Sequence, residues 1–287
     1  MRRVLAAALF LLTVPALHAQ QRDNTFPRPS PSASVSQTFG VTNVTVTYGR
    51  PAVRGRHVFS GEGAIVPTGQ VWRTGADEAT TITFSTDVRV AGQPLAAGTY
   101  GLFSIPSGPT WTIIFNSVAT QWGAFSYDAS KDVLRVEVSS GPSASFTERF
   151  TIGFEDVDDH ATTLYLAWAN TRVPIAITAD TDALLRRQGD AAIAAATDWR
   201  VPFRYAAFAL ANDRLMDAGR AWSDRAVALQ ANYSTLRQQA LFAAAAGDLA
   251  RAREVGEAAL RAGRAQPTPP QDLAEFARRV EGWRSSN

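Results

Sequence analysis

The hydrophobic pattern of the chain changes its period once, near residue 180, and this change constrains the fold more than any other feature. Before it, short runs alternate apolar and polar residues, as in residues 44–48. A period of two is typical of strands buried on one face. After Asp180 the chain is rich in alanine, leucine and arginine, and apolar residues recur every three or four positions. The pattern predicts a β domain over 35–178 followed by an α-helical domain over 182–287.

The β half contains regularly spaced turn signals. Clusters of Gly, Pro and small polar residues interrupt the alternating runs at 91–94, 97–98, 106–109 and 139–142. About nine short strands at this spacing predict an antiparallel β-sandwich.

The helical half shows an internal offset of 34 residues. Four pairs share this offset: Phe208 with Phe242, Ala209 with Ala243, Leu215 with Leu249, and Ala218 with Ala252. This spacing is the period of the tetratricopeptide repeat, and small residues recur where helices of such repeats touch. The segment resembles two degenerate repeats with a flanking helix at each end, near 182–196 and 271–283. A generic bundle of helical hairpins remains the alternative.

The first residues carry an export signal. Arg2 and Arg3 precede a short apolar stretch that ends near Ala19, which predicts a signal peptide over 1–19. Residues 20–34 are rich in proline and serine and predict a flexible linker. No later segment has 18 consecutive apolar residues, so no membrane span is predicted after cleavage. Because the chain has no cysteine for a lipid anchor, we expect the mature protein in the periplasm or outside the cell.

Composition excludes several classes of function. The absence of cysteine rules out disulfides, thiolate metal sites and a cysteine nucleophile. Two of the 28 basic residues lie in the signal peptide, so the remainder balances the 26 acidic residues. A near-neutral chain is a poor partner for nucleic acid. With three histidines in all, no metal centre and no cofactor is predicted.

The β half also contains two long, specific strings, WRTGADEAT at 72–80 and QWGAFSYD at 121–128. Together with its other strand segments, it resembles the bacterial domain-of-unknown-function family numbered 2911 over about 32–178. The resemblance implies a secreted protein, often with a helical repeat tail, and implies no established catalytic activity. The family usually has Asn where this chain has Asp77, which changes a potential ligand contact.

The two strings supply the main candidate site. Aromatic rings next to an arginine and carboxylates suit a sugar or peptide, which would bind by stacking and hydrogen bonds. The candidate ligand-binding residues are Trp72, Arg73, Asp77, Glu78, Trp122 and Tyr127. The alternative is structural: a buried tryptophan, an Arg–Glu pair that holds a loop, and an aromatic loop that covers a sheet edge.

Two further clusters are weaker candidates. A basic group suited to a carboxylate or phosphate comprises Arg50, Arg54, Arg56 and His57. An acidic group with the ligand type that calcium prefers comprises Asp156, Asp158, Asp159 and His160. Solvated loop charges explain the first group more simply, and a polar hairpin turn explains the second.

Catalytic motifs are missing from the sequence. It has no nucleophile elbow, no phosphate-binding Walker loop and no HExxH zinc motif. The leading hypothesis is therefore a non-catalytic secreted binding module, in which the β domain binds a small polar, glycan-like or peptide ligand or an envelope protein. The helical tail would bind a protein or pack on the sandwich. The alternative is a hydrolase of envelope carbohydrate or peptide that uses carboxylates of the β domain.

Overall fold

The computed structural model describes residues 25–283, so the predicted signal peptide and the start of the predicted linker lie outside the described residues. The chain divides into two compact units, with the boundary between Ala179 and Asp180. The first unit consists of strands and the second of helices.

Ten strands form the described part of the first unit. They are β1 (Ser32–Phe39), β2 (Thr42–Gly49), β3 (Thr80–Phe84), β4 (Val88–Val90), β5 (Gln93–Leu95), β6 (Gly98–Ser107), β7 (Thr110–Asn116), β8 (Asp132–Ser139), β9 (Gly141–Glu155) and β10 (Ala161–Thr178). One sheet has the order β1-β2-β3-β6-β7-β8 and the other has the order β5-β4-β10-β9. All paired strands are antiparallel. The predicted β-sandwich followed by a helical domain is confirmed.

The sandwich core is aromatic where the two sheets meet. Trp72 stacks on Trp168 of β10 at 5.8 Å between ring centroids, and Phe150 of β9 meets Trp72 edge-on at 5.1 Å. The hydroxyl of Tyr48 on β2 donates to the Ile152 carbonyl at 3.2 Å and accepts from the Ile152 amide at 2.9 Å. Paired rings and satisfied polar atoms thus join the sheets.

Six helices form the described part of the second unit. They are α1 (Thr181–Ala194), α2 (Arg200–Asn212), α3 (Met216–Leu229), α4 (Tyr233–Ala245), α5 (Leu249–Arg264) and α6 (Leu273–Gly282). The small residues Ala206, Ala218, Ala240 and Ala252 are buried at their helix contacts. They allow the helix backbones to approach closely, as their spacing in the sequence predicts.

The segment before β1 lies against the β unit. Arg28 donates from Nη1 to both carboxylate oxygens of Glu78, at 3.0 and 2.9 Å. The Arg50 amide donates to the Pro31 carbonyl at 2.9 Å. Strand β1 begins at Ser32, within the stretch predicted as a linker. In the second unit as in the first, no helix of residues 25–283 has the length and apolar character to cross a bilayer.

Candidate functional site

The string at 72–80 lies at the end of the long connection between β2 and β3. Trp72 pairs with Ser104 of β6 through two backbone hydrogen bonds, of 2.8 and 2.9 Å. Neighbouring side chains of an extended segment point to opposite faces. Trp72 therefore enters the core, whereas Arg73 lies half-buried on the other side.

Trp72 is a core residue in this arrangement. Its side chain is only 8% exposed, and its indole N–H donates to the Gly75 carbonyl at 3.0 Å. Phe59, Trp111, Phe150 and Trp168 all contact its ring. The ring, predicted from the sequence as part of a stacking platform, leaves no face for a ligand.

A strained turn follows Trp72. Thr74 and Asp77 adopt left-handed backbone conformations, with φ of 51° and 62°. Such a conformation costs about 1–2 kcal/mol for most residues and less for Asp and Asn. Glycine is required opposite the turn, because a Cβ on Gly49 would lie 2.2 Å from the Ala76 carbonyl oxygen. The hydroxyl of Thr80 donates to the Thr74 carbonyl at 2.7 Å and closes the turn.

Arg73 has spare hydrogen-bonding capacity. Among the described residues, its guanidinium makes one hydrogen bond, from Nη1 to the Asp77 carbonyl at 3.2 Å. Burial lowers the pKa of Arg73, and the nearby Asp77 carboxylate opposes that shift. A guanidinium has five N–H donors, so most of those on Arg73 remain for a ligand or water.

The loop between β7 and β8 carries the second string, and backbone pairing joins it to the first. The Ala79 amide donates to the Gln121 carbonyl and the Gly123 amide donates to the Asp77 carbonyl, both at 3.0 Å. A Cβ on Gly123 would lie 2.7 Å from Arg73 Nη1 and 3.0 Å from the Phe125 ring. The bare glycine thus lets the arginine and the phenylalanine approach the same point.

Two aromatic side chains of this loop face solvent. Trp122 is 55% exposed and Phe125 is 84% exposed. The loop therefore presents aromatic surface beside the guanidinium of Arg73. Phe125 belongs to the same string but is not among the residues predicted to bind a ligand; its position two residues after Gly123 is the only signal in the sequence.

Tyr127 holds the loop in place. Its hydroxyl donates to Asp132 Oδ2 at 2.5 Å and accepts from Arg135 Nη2 at 2.7 Å, while Arg135 Nε donates to the same carboxylate at 2.7 Å. Its ring packs on Phe103 at 5.1 Å. Burial, followed by the hydrogen bond to Asp132, raises the pKa of Tyr127 to about 12. These contacts give Tyr127 a positioning role.

Glu78 is 5% exposed and is bound by Arg28. The same Arg28 nitrogen lies 3.8 Å from the Asp77 carboxylate. Arg28 is not among the predicted site residues, because an arginine between prolines in a predicted linker carries no pattern signal. Glu78 and Arg28 together dock the N-terminal segment beside the turn.

The basic cluster is engaged largely with backbone. Arg50 Nε donates to the Phe150 carbonyl at 3.0 Å, and Arg56 Nη2 donates to the Ala52 carbonyl at 2.7 Å. Arg54 and His57 are exposed. Through these hydrogen bonds, Arg50 and Arg56 stabilise the connection after β2.

The acidic cluster forms a hairpin turn between β9 and β10. Asp158 Oδ1 accepts from the His160 and Ala161 amides at 2.6 and 2.7 Å. These backbone hydrogen bonds lower the pKa of Asp158. No group of three or more metal-ligating side chains with suitable spacing occurs in residues 25–283.

Residues 30–177 match the family model described as "Protein of unknown function (DUF2911)". The chain belongs to this family. The DUF2911 match covers both strings, the exposed loop and Arg73, and it leaves the helical unit outside. No curated protein and no solved structure matches the chain.

Proposed function

We propose that this DUF2911 protein is a secreted, non-catalytic binding module whose β domain binds a saccharide that carries a carboxylate. The ligand would lie on a surface formed by Arg73, Trp122 and Phe125, here named the Arg73 surface. The observation that carries the proposal is a half-buried guanidinium with one internal hydrogen bond, close to the exposed ring of Phe125 and to the loop that also carries the exposed Trp122. Export rests on the sequence of residues 1–19.

The charge of Arg73 favours an acidic group. A guanidinium binds a carboxylate through two parallel hydrogen bonds, and partial burial strengthens them. The Asp77 carboxylate limits the negative charge that the surface accepts. Arg28 lies 3.8 Å from Asp77 and offsets part of its charge. A ligand with one carboxylate fits this balance better than a polyanion.

The exposed rings favour a saccharide. Trp122 and Phe125 present apolar faces that a sugar ring covers with its C–H groups, and aromatic anchors of this kind contribute strongly to binding. The loop that carries them is held by backbone pairing and by Tyr127. A preorganised surface loses less conformational entropy when a ligand binds.

A titration of the full chain with a uronic-acid oligosaccharide tests the proposal. We expect Arg73→Gln to weaken binding by tenfold or more, because it removes the charge and keeps a polar side chain. Trp122→Ala and Phe125→Ala should weaken binding too. Phe146→Ala is the matched control, since Phe146 is also an exposed phenylalanine, at 57%, and lies outside the Arg73 surface.

Other outcomes would redirect the proposal. Equal binding by the native chain and by Arg73→Gln would contradict it. Binding only to peptides with a free C-terminal carboxylate would retain the site and change the ligand class. Release of new reducing ends from the oligosaccharide would support the alternative hypothesis, a hydrolase.

For the helical domain we keep the prediction of a protein partner. A largely apolar cleft of about 520 Å³ in this unit supports the prediction, and its lining includes Leu210, Met216 and Leu241. The lining also contains two charged residues, Asp213 and Arg279. Chemical crosslinking in the native host, followed by mass spectrometry, would identify peptides joined to this unit.

A further inference from the structure

The β domain has a cleft that shares no residue with the Arg73 surface. It has a volume of about 380 Å³, within the range of small-molecule sites. Its walls come from the turn between β6 and β7, the turn between β8 and β9, the loop after β2, and β10. None of the residues that line it is charged.

Hydrogen bonds hold these walls together. Ser140 donates from its amide to the Pro109 carbonyl at 2.7 Å and from its hydroxyl to the Gly108 carbonyl at 2.9 Å. On the opposite side, the Thr68 hydroxyl donates to the Phe59 carbonyl at 2.9 Å. The cleft is therefore formed before any ligand arrives.

Aromatic residues form the base of the cleft. Phe59 is half-buried and meets Trp111 edge-on at 4.8 Å. Trp111 is 2% exposed, and its indole N–H has no acceptor among the residues that the structure describes. Trp111 lines the cleft together with Phe59.

A β-bulge supplies polar groups to the cleft. The pairing of β10 with β9 shifts register on both sides of Ala169, which has a left-handed φ of 51°. Bulges often re-aim a side chain, and here the following residue, Asn170, is exposed at the cleft. Within residues 25–283, the side chains of Ser60, Asn170 and Thr171 make no hydrogen bond.

We propose that this cleft binds a neutral saccharide. Hydroxyl groups of a sugar pair with the free donors and acceptors of Ser60, Asn170 and Thr171, and one accepts from the indole N–H of Trp111. The apolar face of a sugar ring covers Phe59. A charged ligand finds no counter-charge in this lining, in contrast to the Arg73 surface. The two sites therefore differ in the charge of the saccharide that they select: acidic at the Arg73 surface and neutral in the cleft.

Titration of the full chain with maltotriose, cellotriose and chitotriose, followed by two-dimensional NMR, tests the proposal. We expect at least one to bind, and we expect Trp111→Phe and Asn170→Ala each to weaken that binding by tenfold or more. Trp111→Phe keeps an aromatic ring and removes the donor. Trp222→Phe is its matched control, because Trp222 is a buried indole of the helical unit, outside the cleft and the Arg73 surface. Thermal melts would verify that each variant is folded.

Several results would overturn the neutral-saccharide proposal. One is the absence of binding by all three trisaccharides at about 10 mM, a concentration at which weak sites are occupied. A second is equal binding by native protein, Trp111→Phe and Asn170→Ala. Loss of binding on Arg73→Gln would assign the saccharide to the Arg73 surface instead. Binding of a proline-rich peptide to the cleft, with no saccharide bound, would show a different ligand class.

Discussion

The two units of this protein differ in how they use their aromatic side chains. All seven large hydrophobic side chains that are exposed in residues 25–283 belong to the β unit, Trp122 and Phe125 among them. In the helical unit, Trp222 is buried and its indole N–H donates to Asp190 at 2.7 Å. Exposed aromatic groups beyond the needs of the core point to binding. The difference locates candidate ligand chemistry in the β unit.

Each unit also contains a group of one tyrosine, one aspartate and one arginine in contact. Tyr233 of α4 donates to Asp272 at 2.8 Å, and Arg237 Nε lies 3.0 Å from the same carboxylate. Tyr127, Asp132 and Arg135 form a similar group in the β unit, where the arginine also donates to the tyrosine hydroxyl. In both cases a tyrosine, an aspartate and an arginine hold a connecting segment. Because such a Tyr–Asp–Arg group occurs in both units, its presence alone does not identify a ligand-binding surface.

The largest expected effect tests whether the two units are independent. Trp72→Ala and Trp222→Ala each remove a buried indole, and we expect each to lower the free energy of unfolding of its own unit by about 3–5 kcal/mol. Hydrogen exchange measured along the chain would show which unit loses protection. Loss of protection in both units from either change would contradict the division at Ala179.

The next effect concerns the N-terminal segment of the β unit. Arg28→Ala removes two hydrogen bonds to the nearly buried Glu78 carboxylate, and we expect a loss of about 1–3 kcal/mol. Urea unfolding of Arg28→Ala, Glu78→Gln and the double variant gives the coupling energy of the pair. Additive effects would show that the contact contributes nothing to stability.

A smaller effect appears at high pH in both units. The pKa of Tyr127 and of Tyr233 is raised to about 12, chiefly by burial, above about 10 in the unfolded chain. The folded state therefore favours the protonated hydroxyls. Their contribution to stability is complete below pH 10 and is lost as the pH rises toward 12.

Urea unfolding at a series of pH values checks this expectation. In Tyr127→Phe and Tyr233→Phe the slope of stability between pH 10 and 12 should be shallower than in the native chain. An unchanged slope in both variants would assign the dependence to other groups.

The smallest expected effect is on the exposed rings. Trp122→Ala and Phe125→Ala should change the free energy of unfolding by no more than about 0.5 kcal/mol, since neither side chain fills the core. Phe146→Ala is the control for an exposed ring elsewhere. A loss as large as that of Trp72→Ala would make Trp122 structural and remove it from the Arg73 surface. Thermal melts are sufficient for this comparison.

The fold was largely predictable from pattern, and the site was predictable only in part. Alternation and helical spacing depend on neighbours in the chain, so they predicted the sandwich and the helical domain. The same patterns could not distinguish Trp72 from Trp122, because each lies in a string of mixed aromatic and polar residues. The neighbours of Arg28 in the sequence do not indicate its role either, because its partner Glu78 lies 50 residues away.

The sequence by itself determined the type of each element, the change of class near residue 180 and the family to which the chain belongs. Hydrophobic period and turn residues are local properties, and they act before any distant segment arrives. The tertiary structure alone decided which tryptophan enters the core, that Arg73 lies beside Phe125, and that a bulge in β10 meets the turns around an uncharged cleft. These depend on strand pairing between distant segments and on backbone clearance at Gly49 and Gly123, which no local pattern encodes.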